Sequence, residues 1–338
     1  MQNNMKKNTK IAMLIAAAAV IAGLCASAYI MERQTAPDAQ GQISPKSAAD
    51  AASDINGAGT SVTRGSAKQN AVINILIIGD DTFRLEDMDS NGNADGEMLV
   101  SINSDTKELV FTTFLRYIEV KDAGGNSARL AKIYRAGGID ALINAFEDNF
   151  EIDIDHYVCL NFVQAVTLLE KIGSISVHLS PDEIAAMTRK IDNINSLIGA
   201  QTGDNMLPSD AAGTYELNAV QTLAYMRIRP SDDNTDFARA SRSQVVLAAL
   251  LEKVKGMNVA QLASLAGAVS ENVDTDISVA DMIGLAAEFK ELSGYEKFTD
   301  IIPIEGTYSF TDSDRHYIET SLPENVEHLH DSIYEGIH

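Results

Sequence analysis

The chain has 338 residues, of which 45% are hydrophobic and 22% charged, enough apolar material for a sizeable core. Its formal net charge of -22 argues against a generic nucleic-acid binder, because phosphate contacts need a net basic surface. Two cysteines, Cys25 and Cys159, exclude a fold stapled by disulfides.

The N-terminus comes first in chain order. Lys6, Lys7 and Lys10 precede the run Ile11–Met31, 21 residues without a charge, and Glu32 follows it. As a helix that run covers about 30 Å, the thickness of the hydrocarbon core of a bilayer. The lysines place the N-terminus in the cytoplasm and the remainder outside. Ala26-Ser27-Ala28 fits a signal-peptidase site, so a cleaved leader is the competing reading; run length favours the anchor. A lipid anchor on Cys25 is disfavoured by Leu24. Residues 32–70 are mostly small and polar, a composition that predicts a disordered tether.

From Ala71 onward the pattern becomes globular. Val72–Ile78, apolar except for Asn74, predicts a strand buried on both faces. Met98–Ile102 and Leu109–Thr113 read as strands, and the polar stretch opening Asn103-Ser104-Asp105-Thr106 joins them as a hairpin. Helical spacing follows over Gly138–Phe150, then strand-like Tyr157–Asn161, helical Phe162–Ile172 and strand-like Ile175–Leu179. Further helices are expected over Pro181–Lys190, Glu216–Met226, Phe237–Lys255, Val259–Val269 and Val279–Leu292. Strands mixed with helices in this order predict an α/β domain with helices on both sides of a central sheet. Cys159 reads as a small buried apolar residue. His156, His178, His316, His328, His330 and His338 show no convincing metal-ligand spacing and read as structural or solvated.

Two segments carry chemistry. Asp80–Glu97 holds seven acidic side chains and the single Arg84, and Arg227–Arg242 holds four of the twelve arginines in the chain. Arginine's planar fork suits phosphate oxygens, and carboxylates after a buried strand suit a hard cation such as Mg²⁺. Together they suggest phosphoryl transfer. The blander reading pairs Asp232, Asp233 and Asp236 with these arginines on a solvated face, and composition leaves the two even. Asp87-x-Asp89-x-Asn91-Gly92 with Asp95 also resembles the start of a calcium loop, but Met98 stands where its closing Glu belongs; a polar turn is the simpler reading. No Gly-x-Ser-x-Gly elbow or Gly-rich phosphate loop is present.

The order of blocks resembles one family. Asn74-Ile75-Leu76-Ile77-Ile78-Gly79-Asp80-Asp81, then Asp95 before Met98–Asn103, and Phe114-Leu115-Arg116 are similar to successive motifs of the LytR-CpsA-Psr family. So are Ile154–Val158 with Asn161-Phe162, and Tyr225-Met226-Arg227-Ile228-Arg229 followed by Asp236, Arg239 and Arg242. The resemblance implies an α/β domain over residues 71–338 with a central mixed sheet, preceded by a cytoplasmic segment 1–10, a transmembrane helix 11–31 and a linker 32–70. It implies a membrane-anchored extracytoplasmic transferase of Gram-positive bacteria. Such an enzyme moves a phosphoglycan from a polyprenyl-pyrophosphate carrier in the cytoplasmic membrane onto peptidoglycan.

Carried over by position, Asp81 and Asp95 would hold Mg²⁺. Arg116, Arg227, Arg229 and Arg239 would surround the pyrophosphate, with Asp236 orienting them or acting near the acceptor, and Arg129 and Arg242 contacting substrate. The helices Gly138–Phe150 and Phe162–Ile172 are candidate walls for the lipid tail, although core packing explains them more simply. The chain departs from the family's motif positions at Phe83, Asn93, Tyr117, Ser243 and Arg129. A catalytically silent binder of lipid-linked glycan or wall polymer is therefore the alternative. The transcriptional-regulator label often attached to the family finds no basic or helix-turn-helix support here.

Overall fold

A computed structural model of the chain describes residues 71–80, 92–228, 236–278, 294–310 and 318–338. The proposed anchor, tether and calcium loop, and the helix expected over Val279–Leu292, lie outside these residues apart from the end of the loop at Gly92 and Asp95. No helix among the described residues is long and apolar enough to cross a membrane.

The first strand sets the architecture. β1 (Val72–Asp80) is buried along nearly its whole length. Its alternate residues feed two cores: Ile75 and Ile77 face one, Leu76 and Ile78 the other. A strand apolar on both faces can sit only inside a sandwich of helices, as its composition predicts. β2 (Ala94–Asn103) runs antiparallel to it, and β3 (Glu108–Phe114) antiparallel to β2. Their turn is fixed by Asn103, whose Oδ1 accepts from the backbone N–H groups of Asp105 at 2.9 Å and Thr106 at 3.1 Å.

A short hairpin, β4 (Glu119–Lys121) with β5 (Ser127–Arg129), leads into α1 (Leu130–Phe150). The helix begins eight residues before the expected Gly138, because Leu130, Ala131, Ile133 and Tyr134 bury a face of their own. Gly138 interrupts it with φ 73° and ψ -162°. β6 (His156–Asn161) then pairs parallel to β1.

α2 (Phe162–Ile172) follows directly, then β7 (Ile175–Leu179), α3 (Pro181–Ile198) and β8 (Gly213–Leu217), which pairs antiparallel with β7. The expectation of a helix from Glu216 is corrected here: Glu216 and Leu217 complete β8. α4 (Ala219–Arg227) starts only after Asn218 caps it, with Gln221 returning the bond. α5 (Asp236–Lys255) and α6 (Val259–Asn272) complete this layer.

β9 (Asp274–Thr275), β10 (Glu296–Ile302), β11 (Tyr308–Phe310) and β12 (Ile318–Thr320) precede α7 (Leu322–His330), which runs into a π turn at Asp331–Glu335. The central sheet has the order β10-β3-β2-β1-β6-β9 and is mixed, as expected. Helices α2 to α6 cover one face and α1 and α7 the other. That division corrects one reading: α1 and α2 lie on opposite faces of the sheet, so they cannot wall one lipid groove. Their apolar residues go to the two cores instead. Phe114 locks α1 onto the sheet, its ring 4.8 Å from those of both Phe146 and Phe150.

Candidate active site at the strand ends

Because β6 is parallel to β1, β10 is parallel to β3, and β2 opposes both β1 and β3, the C-terminal ends of β1, β3, β6 and β10 share one edge of the sheet. Binding residues in α/β sheets concentrate at such an edge, where loops leave the strands.

Asp80 ends β1 in parallel register with Asn161. It is only 8% exposed and accepts a hydrogen bond at 2.8 Å from the phenol of Tyr134 on α1. Burial, then the nearby charges of Cys159 and Asp80, raises the Tyr134 phenol far above its ordinary value. It is therefore a neutral donor. Burial likewise pushes up the Cys159 thiol, which lies 3.4 Å from the same hydroxyl, so this cysteine is an inert packing residue.

The ladder between β1 and β2 is irregular at this point. Gly79 pairs with Gly96 and Asp80 with Ala94, so Asp95 is the extra residue of a bulge. This sets Asp95 in β2 beside the end of β1; its side chain and the whole of Asp81 lie outside the described residues. Among the described residues no group of three or more His, Cys, Asp or Glu gathers to hold a metal. Carboxylate oxygens are nonetheless the donor class that Mg²⁺ takes. Glu97, two residues further on, is 1% exposed between its ladder partners Ile78 and Phe114.

Past the end of β3, Arg116 is 8% exposed. Its guanidinium carbon lies 4.3 Å from the ring centroid of Tyr117, and its Nη2 donates to the Tyr117 hydroxyl. Arg129, at the end of β5, reaches the same ring at 5.6 Å. Across the sheet edge, α2 is capped by Asn161, which receives the Gln164 backbone N–H at 3.1 Å and gives its own to the Gln164 side chain at 2.7 Å. That cap holds Phe162 in place, and Arg227 is 4% exposed with its guanidinium carbon 5.4 Å from the Phe162 ring. Arg227 sits in the last turn of α4, where the helix dipole favours a cation.

Arg242 donates from Nε to Glu183 at 3.4 Å and from Nη1 to the carbonyl of Ile228 at 3.1 Å. It braces the backbone immediately before Arg229. Arg229 itself lies outside the described residues. Asp236 opens α5 and Arg239 follows one turn later; their side chains are likewise outside them.

The structure thus brings Arg116, Arg129 and Arg227 to one sheet edge. It adds Asp80, Glu97, Tyr134 and the ring of Tyr117, which sequence reasoning did not assign. An acidic pair closing an apolar strand was the available signal for Asp80. Tyr134, on a helix packed across the sheet, had none. Three histidines make structural contacts: His156 pairs with Asp276 at 3.2 Å, His330 contacts the Phe150 carbonyl, and His328 meets Asp300, while His316 lies outside the described residues. Chemically, buried guanidinium groups on one sheet edge are donors of the type that phosphate oxygens accept from.

The model of the LytR_cpsA_psr family matches residues 29–326. Biofilm regulatory protein A of Streptococcus mutans is 29% identical over 246 residues, covering 69% of this chain and 58% of that protein. The polyisoprenyl-teichoic acid–peptidoglycan teichoic acid transferase TagU of Enterococcus faecalis is 27% identical, covering 66% of this chain and 67% of its own length. The chain thus spans less than two thirds of the streptococcal relative. Among solved structures, B. subtilis TagV superposes with a TM-score of 0.58 at 21% identity over 78% of this chain and 97% of its own. TagT bound to LIIa-WTA gives 0.58 at 19% identity over 81% and 94%. Likeness at these identities establishes the fold.

Proposed function

The chain belongs to the LytR_cpsA_psr family, and from that membership we propose that it is a cell-wall glycopolymer transferase. In this reading it is anchored by Ile11–Met31 with its domain outside the cytoplasmic membrane. It takes a phosphoglycan from a polyprenyl-pyrophosphate carrier and joins it to a peptidoglycan hydroxyl. The carrying observation is the burial of Arg116 and Arg227 at the same sheet edge, where a pyrophosphate would meet two desolvated guanidinium groups.

The reaction breaks the bond between the glycan phosphate and the bridging oxygen of the polyprenyl phosphate. The acceptor hydroxyl oxygen bonds to that phosphorus, its proton passes to the departing phosphate or to solvent, and polyprenyl phosphate leaves. Negative charge grows on the leaving phosphate, so fixed cations that meet it there lower the barrier. Arg116, Arg227, Arg229 and Arg239 supply those cations, Arg129 extends them toward the substrate, and Arg242 braces the backbone before Arg229. Asp236 takes the position next to the acceptor. Mg²⁺ held by Asp81 and Asp95 would neutralise the pyrophosphate further. Tyr134 keeps Asp80 turned toward α1 in this arrangement.

One observation favours the silent binder: Tyr117, where the family resemblance calls for Asp, meets Arg116 with a ring instead of a carboxylate. A single assay separates the readings. Full-length protein is given a polyprenyl-pyrophosphate-linked glycan, Mg²⁺ and peptidoglycan, and released polyprenyl phosphate is measured. Turnover that falls about a hundredfold in Arg227→Ala supports the transferase, by analogy with loss of one charge-stabilising donor. Bound lipid without turnover favours the silent binder. Unchanged binding and turnover in Arg227→Ala would show the site to be elsewhere.

A further inference from the structure

We propose that the cleft between the end of α1 and α7 binds the side-chain ammonium of a wall peptide, an inference that rests on the transferase reading for the source of that amine. The cleft measures about 530 Å³, and none of the arginines assigned to the anion edge lines it. Part of its wall is apolar, formed by Leu322 and Val326 one turn apart on α7. Three carboxylates share the lining: Glu151, which caps the end of α1, with Glu327 and Asp331 on the α7 side.

The polar side chains of this lining that keep hydrogen-bonding capacity are acceptors. Among the described residues no group donates to the carboxylates of Glu151, Glu327 and Asp331. Asn149 also lines the cleft, but both of its amide hydrogens are committed, to the carbonyls of Ala145 at 2.8 Å and Lys121 at 2.9 Å. His330 donates from Nε2 to the Phe150 carbonyl at 3.0 Å, which leaves Nδ1 as an acceptor in the neutral ring. α1 carries no basic residue in its last turn to answer the negative end of its dipole. Neighbouring sequence supplies no cation either: residues 136–155 and 318–338 contain no lysine or arginine.

Acceptors beside an apolar wall call for a ligand that is all donor at its tip and hydrocarbon along its stem. A primary alkylammonium has that form, with three N–H donors and no acceptor. A bare metal ion fits less well, because among the described residues no three carboxylates or imidazoles gather to hold one. In a transferase that works on peptidoglycan, the amine-bearing side chains of the wall's peptide stems present this group. The cleft would then grip the acceptor strand by its peptide while the acceptor hydroxyl meets the arginine edge.

The test uses the full-length chain and two muropeptides that differ only at the side-chain amine, free in one and N-acetylated in the other. Calorimetry at low ionic strength reads both affinities, with unfolding curves on every sample. The free amine should bind about fivefold more tightly than the acetylated one. Raising the salt to about 0.5 M should shrink that preference, because partly exposed charges are screened. Glu327→Gln combined with Asp331→Asn changes charge at constant shape and should abolish it. Equal affinity of the two probes in wild type, or a preference that survives the double variant, overturns the site. A sugar-free lysine peptide that binds more tightly than the free-amine muropeptide overturns the wall source and makes the cleft a docking site for a basic protein. Failure of the transferase reading is seen separately. Glycan transfer without any amine preference keeps the transferase and removes the cleft, whereas amine preference in a protein that transfers no glycan keeps the cleft and removes the transferase.

Discussion

The phenol of Tyr134 donates to Asp80 Oδ2 at 2.8 Å, joining the outer helix α1 to the last residue of the central strand β1. Both residues are buried, so this bond replaces water that the carboxylate has lost. Hydrogen bonds to charged groups of this kind contribute about 1.5–3 kcal/mol. Tyr134→Phe keeps the ring and removes only the donor. It should lower the unfolding free energy by about that amount in urea titration, with an unchanged m-value. A loss below about 0.5 kcal/mol would show that Asp80 is satisfied without Tyr134.

Gly138 holds φ 73° and ψ -162°, a conformation open essentially only to glycine. The kink lets the first turns of α1 pack over the β4–β5 hairpin while the remainder follows the sheet. Gly138→Ala should destabilise by about 1–3 kcal/mol. Gly267→Ala on α6 makes a useful contrast, because Gly267 lacks a positive φ and a Cβ added there meets nothing within 4 Å. Equal effects of the two substitutions in thermal unfolding would refute the kink as the cause.

Glu183 has two duties. Oε2 accepts the Ser180 backbone N–H at 3.0 Å to cap α3, and Oε1 accepts from Arg242 at 3.4 Å. Glu183→Gln keeps an acceptor for the cap and removes the charge that holds Arg242. The pair is partly buried, so the expected cost is about 1 kcal/mol, with a further 1 kcal/mol or so in Glu183→Ala where the cap is lost too. Because Arg242 braces the Ile228 carbonyl before Arg229, pyrophosphate affinity should also fall in Glu183→Gln. Affinity equal to wild type would separate Arg242 from the site.

Asp276 carries a pH dependence. Burial raises its carboxyl, but hydrogen bonds from His156 and the Tyr157 backbone N–H outweigh that and leave it below the ordinary 3.8. A depressed folded pKa means that the unfolded chain binds the proton more readily. The stabilisation is therefore complete above about pH 5 and is lost as pH falls through the depressed folded value. Both partners are partly exposed, which limits the effect to under about 1 kcal/mol. Asp276→Asn should be less stable than wild type at neutral pH and indistinguishable from it near pH 2. A constant difference across that range would exclude titration as the cause.

Much of the fold was legible because it is local. The apolar run of β1, the polar turn after β2, and the capped starts of α2 and α3 each carry their signal within a few neighbouring residues. The α4 start was misread from Glu216 because apolar spacing continues without a break into β8. What stops the helix there is pairing of Glu216 with Ser176 on β7, a distant strand. The β4–β5 hairpin, three residues a side, was too short to show any period.

The site divides in the same way. The arginine block from Arg227 to Arg242 and the acidic block after β1 stand out in the sequence, since composition alone marks them. Which arginines share a ring, and which carboxylate meets a phenol, depends on residues far apart in the chain.

By itself, then, the sequence determined a two-faced central strand, the order β1 to β3 and α1 to α3, and the residue types that suit an anion. Tertiary structure alone decided that β10 lies parallel beside β3, that α1 and α2 occupy opposite faces, and that Arg116 and Arg129 both meet the ring of Tyr117. The physical reason is range: periodicity and capping act over a helical turn or a strand pleat. Those pairings follow from closing long loops around two hydrophobic cores at once.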